Sequence, residues 1–139
     1  MSLLLLSVPN IFLYSIVAAA ILIYLPFLLV AIGRVQVGND LSAPRAMFDK
    51  LPIYAQRATW AHQNSFEAFM IFAAAAFMAY VTGVNSQSGM IAAIAFVIAR
   101  FFYSVFYITN IPILRSLMFA IGVSCHVTLF YLSILQVQG

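Results

Sequence analysis

Four stretches of this chain are apolar for about twenty residues or more, and short polar links separate them. A run of that length spans a bilayer core as a helix, because lipid offers nothing to pair with an irregular backbone. The spans are expected at about Val8 to Gly33, Tyr54 to Val81, Gly89 to Ile108 and Ile113 to Leu135. They leave little else among the 139 residues, which predicts a single all-α integral membrane domain over residues 1–139, a four-helix transmembrane bundle. With 65% hydrophobic residues, 6% charged residues and a mean hydropathy of +1.09, the chain is far more apolar than any soluble domain of its size needs to be.

Breakers mark the links. Gly38-Asn39-Asp40, Ser42-Ala43-Pro44 and Leu51-Pro52 punctuate the first, Thr82 to Ser88 forms the second, and Asn110-Ile111-Pro112 the third. Pro26 falls inside the first span, where a membrane helix tolerates the lost hydrogen bond, often with a kink. Arg34, Arg45, Lys50 and Arg57 lie in or beside the first link, and Arg115 beside the third. The termini and the second link carry no lysine or arginine. The positive-inside rule therefore puts the first and third links in the cytoplasm and both termini outside, with a bacterial inner membrane as the expected location. Ala18-Ala19-Ala20 resembles a signal cleavage site, but an apolar run follows it and no basic residue precedes Arg34, so no cleavable signal is expected.

Several chemistries are excluded. A single cysteine, Cys125, permits no intrachain disulfide and reads as a small buried hydrophobe. His62 and His126 have no partners at metal-ligand spacing, so no metal site is expected. The 6 basic residues are scattered over links and helix ends, which is not a nucleic-acid footprint.

The informative residues are polar ones inside the spans. Arg57, Trp60, Asn64 and Glu67 fall at about 0°, 300°, 340° and 280° around the second helix, one narrow stripe. Glu67 is the chain's one glutamate. Arg100, Tyr103, Tyr107 and Asn110 repeat the pattern on the third helix, with Arg100 about 12 Å inside its end. An ionisable group at membrane depth marks a functional site unless packing explains it. The packing explanation is a Glu67–Arg100 pair, which would lower the burial cost of both. Arg115 reads in isolation as a topology anchor, and His126 as a helix-packing hydrogen bonder.

The element Arg57-x-x-x-Ala61-His62-x-Asn64-x-x-Glu67 is similar to that of the MAPEG superfamily, membrane-associated proteins in eicosanoid and glutathione metabolism. So is Arg100-x-x-Tyr103-x-x-x-Tyr107, followed by Pro112 and Arg115-Ser116, and the resemblance spans the whole chain as a prokaryotic-type member. It implies a homotrimer of four-helix subunits, with glutathione as cosubstrate bound between neighbours near the cytoplasmic side. By that resemblance Asn64 and Glu67 hold the tripeptide, and Arg57, Arg100, Tyr103 and Tyr107 line its place. Arg34 belongs to the same pocket, and Arg115 is the catalytic residue that stabilises the thiolate. The implied activity is a transferase or peroxidase joining glutathione, or a related thiol, to a small lipophilic substrate from the membrane.

The chain departs from the pattern at Trp60, where the glutathione-using members usually carry an arginine, and at Tyr103, where some carry a histidine. An indole replaces a carboxylate clamp. The alternative is therefore a lipid-binding or scaffold protein of the same fold without catalysis. A channel or transporter lacks support, because no broken helix pair or filter sequence is present.

Overall fold

The computed structural model describes residues 6–139. Four helices organise them: α1 (Val8–Val37), α2 (Ile53–Val81), α3 (Gln87–Ile108) and α4 (Pro112–Gln138). Each is long and apolar enough to cross a membrane, so the fold is an all-α membrane-spanning bundle. α2 packs against all three other helices, while α1 and α4 stand on opposite sides of the α2–α3 pair. This arrangement decides the geometry of the site, because α2 has one groove facing α1 and another facing α4.

Local chemistry sets the helix ends. Gly83 and Asn110 both take positive φ after α2 and α3, at 80° and 59°. The next amide reaches back five residues, from Val84 to the Ala79 carbonyl at 3.0 Å and from Ile111 to the Phe106 carbonyl at 2.9 Å. Each is a left-handed cap closed by a 6→1 bond, and Gly and Asn are the residues that tolerate it. Pro112 then opens α4, where a missing N–H costs nothing. The tight α3–α4 turn brings Tyr107 near Arg115. The Ser86 hydroxyl caps α3 by accepting from the Gly89 amide at 3.1 Å, which starts that helix at Gln87, ahead of Gly89.

α1 runs past Gly33 to Val37, and Gly38 with φ 87° stops it. Gly33 serves close packing instead. A Cβ there would lie 2.5 Å from the Ala55 Cβ, so the absent side chain lets α2 approach α1. α1 also continues through Pro26, whose ring is buried. The first link carries a short 3₁₀ helix, Pro44–Lys50, that the turn signals did not predict. Ahead of it, the Ser42 hydroxyl and amide both donate to Asp40 Oδ1, at 2.7 and 3.0 Å, and hold that carboxyl below its usual pKa.

The core is built of alanines and stacked rings. Ala75, Ala76, Ala79, Ala92 and Ala93 are buried between helices. Phe72 of α2 and Phe96 of α3 stack with centroids 3.8 Å apart and planes 2° from parallel. Small residues let membrane helices come close enough for dispersion to hold them, since lipid supplies no hydrophobic drive between helices.

Candidate functional site

Arg100 is the most constrained polar residue. It projects from α3 into the bundle and is only 4% exposed. Its Nη2 donates to Asn64 Oδ1 of α2 at 2.9 Å and, at 3.4 Å, to the buried Ser65 hydroxyl. Its guanidinium also lies over the Tyr103 ring, 3.9 Å from the centroid. The expected Glu67–Arg100 ion pair is therefore replaced by an amide: Asn64 is the residue whose acceptor meets Arg100. Glu67 falls one turn further along α2, at an exposed position. An unpaired buried cation is costly, and an amide oxygen offsets only part of that cost.

Replacing Asn64 with leucine would leave Nη2 without its main acceptor. A hydrogen bond to a charged group contributes about 1.5–3 kcal/mol, and a loss of that size is the expected outcome. Unfolding in mixed micelles, with Asn64→Asp as the acceptor-preserving control, measures it.

From Arg100 a ladder of rings runs to the basic end. Tyr103 meets Tyr107 at 5.7 Å, edge to face. The Arg115 guanidinium lies over Tyr107, 4.6 Å from its centroid. Trp60 of α2 packs beside Tyr107 at 6.3 Å and beneath Phe48 of the 3₁₀ segment at 5.5 Å. Cations at both ends of a tyrosine pair are held by cation–π attraction without a carboxylate. The structure thus brings Asn64, Arg100, Tyr103, Tyr107 and Arg115 together, and Trp60 joins them. Arg57 lies one turn before Trp60 on the same helix and is half-buried.

Arg34 lies elsewhere. It faces a groove of about 720 Å³ between α1, α2 and the 3₁₀ segment, together with Arg45, His62, Gln63 and Glu67. Its guanidinium lies 5.6 Å from the Phe27 ring centroid, and its Nε is buried without a partner among the described residues. Because α1 and α4 lie on opposite sides of the α2–α3 pair, Arg34 and Arg115 stand on different sides of α2. Glu67 belongs to both sides. It also lines a slot of about 320 Å³ between α2, α3 and α4, with Asn64, Arg100 and His126.

Sequence reasoning passed over Phe48, Gln63 and His62 as site residues. His62 points away from the polar stripe, as its helical angle indicates, and its Nδ1 sits 2.7 Å from the Ile23 carbonyl, among the Tyr24, Phe27 and Phe66 rings. The angle gave its direction but not the groove that direction opens into. Among the described residues no cluster of three or more His, Cys, Asp or Glu could hold a metal.

Comparison with individual curated proteins and with solved structures returned no match. Comparison with protein families matches the MAPEG family over residues 11–135, which takes in all four helices but their outermost turns. That match covers most of the chain, and the chain belongs to the MAPEG family.

Proposed function

We propose that the protein is a membrane-bound thiol transferase or peroxidase that uses glutathione or a related thiol against lipophilic electrophiles. One observation carries the reading: Asn64, Arg100, Tyr107 and Arg115, from three helices, belong to one line of contacts, through Tyr103, that runs from inside the bundle to its basic end. A thiol tripeptide carries two carboxylates and one ammonium, so its site needs several cations and one anion. Arg115 at the rim would favour the thiolate, as a neighbouring cation does for a cysteine. Asn64, Arg57, Tyr103 and Tyr107 would position the peptide, and Glu67 would meet its ammonium.

The grooves on the two sides of α2 bear on assembly. In a homotrimer the α1–α2 groove of one protomer, with Arg34, would face the Tyr107–Arg115 ladder of the next. That arrangement completes a pocket which one protomer holds in two halves, and lipid would deliver the electrophile to it. The basic end would face the cytoplasm, by the distribution of charge over the links.

Titrating the purified oligomer with glutathione should produce an ultraviolet thiolate band that saturates with site occupancy. Absence of both the band and calorimetric binding at saturating ligand would reject the proposal.

A second reading, lipid binding without catalysis, is favoured by Trp60. This indole, 40% exposed, extends the ladder with an apolar ring where a clamp for a carboxylate would sit. Glu67→Gln separates the two. The transferase reading expects an intact oligomer with weakened thiol binding, and the scaffold reading expects the oligomer to fall apart.

A further inference from the structure

The first link is a folded arm with a fixed outer surface. Met47 and Leu51 are buried and anchor it, and the Asp40 amide donates to Met47 Sδ at 3.1 Å. Ser42 closes the turn around Leu41 by donating twice to Asp40 Oδ1. Leu41, held in that turn, is 85% exposed.

An apolar stripe on α1 leads to this leucine. Leu28, Ile32 and Val35 recur at helical spacing and are all exposed, so they form one outward face. Val35, Leu41 and Pro44 border the same cleft of about 310 Å³ between the end of α1 and the arm. Leu41 therefore prolongs the stripe at the level where α1 ends. An apolar side chain at that level is stabilised if acyl carbons cover it and not if water does.

Cations flank it. Arg45 and Lys50 are exposed on the 3₁₀ segment that follows. Residues 34–57 carry Arg34, Arg45, Lys50 and Arg57 against the carboxylates of Asp40 and Asp49, a positive surplus. The opposite end of the bundle, at Thr82 to Ser88 and Gln136 to Gly139, has no charged side chain. An outward leucine beside exposed cations is the composition of an interfacial anchor. On the side that the charge distribution puts in the cytoplasm, the complementary surface is the phosphate layer of an anionic leaflet.

We propose that the arm docks on anionic phospholipid headgroups, with Leu41 entering the acyl boundary and Arg45 and Lys50 meeting phosphates. Arg45 also borders the α1–α2 groove, but none of these three side chains is assigned to the thiol. Docking therefore holds or fails apart from the transferase reading.

The test uses the full chain in phosphatidylcholine vesicles, without any thiol. Spin-labelled phosphatidylglycerol and spin-labelled phosphatidylcholine are compared by the fraction that the protein immobilises. The anionic label should be preferred. A cation near an anionic surface is worth about fivefold in affinity. Arg45→Gln combined with Lys50→Gln should therefore remove most of the preference, as should molar salt, and Asp49→Asn should raise it. Equal immobilisation of the two labels would overturn the proposal. So would a preference that survives the double substitution, because the lipid would then sit at other cations.

Depth is measured separately and needs no charge variant to fold. A nitroxide attached through Leu41→Cys, with Cys125→Ala removing the native thiol, should collide more with lipid-soluble oxygen than with a water-soluble nickel chelate. The opposite ratio would put Leu41 in water and overturn the proposal.

Discussion

On the proposed transferase function, exchanging Arg115 for leucine is expected to cut thiol conjugation by about 100- to 1,000-fold, the usual loss when one preorganised donor to a developing anion is removed. The fold should survive the change. Arg115 sits in the first turn of α4, where the helix dipole disfavours a cation, so its charge does not serve the helix. Its visible partner is the Tyr107 ring at 4.6 Å, a contact worth about 0.5–1 kcal/mol at a half-exposed site. Arg115→Lys keeps the charge but not the planar stacking and should recover part of the activity. Steady-state conjugation rates, read beside the thiolate band, check this. Loss of the band together with the rate supports thiolate stabilisation. Retention of the full rate in the leucine variant would remove Arg115 from the chemistry.

The largest effect on stability is expected from Phe72→Ala. Phe72 is wholly buried and lies flat on Phe96 at 3.8 Å, across the α2–α3 contact that holds Arg100 beside Asn64. In water such a truncation costs about 3–5 kcal/mol. In a membrane the separated helices remain in an apolar medium, so the transfer part shrinks and the lost packing remains, leaving about 2–4 kcal/mol. Phe77→Ala is the control, since that ring is 56% exposed and should change stability by less than about 0.5 kcal/mol. Denaturant titration in mixed micelles measures both. Equal effects from the two would show that the stack adds nothing beyond lipid contact.

The sequence by itself determined the number of spans, their turns and their polar stripes, because each is local. Apolar length decides whether a segment crosses a bilayer. Asn110 before Ile111-Pro112 fixes the end of α3 through bonds made within a few residues, whereas the Ser86 cap, which starts that helix at Gln87 and not at Gly89, emerged only from the structure. Helical angle alone put Asn64 and Glu67 on one face and His62 on another. The structure had to decide what each face meets. Gly33 reads as a helix stop until Ala55 is found against it, and Arg100 reads as the partner of Glu67 until Asn64 takes its Nη2. The ladder through Phe48, Trp60, Tyr107 and Arg115 joins the first link, two helix starts and a helix end, and no periodicity relates them. Nor could spacing show that α2 separates Arg34 from Arg115. That follows from how close small residues let each pair of helices come, a sum of many weak contacts over residues distant in the chain.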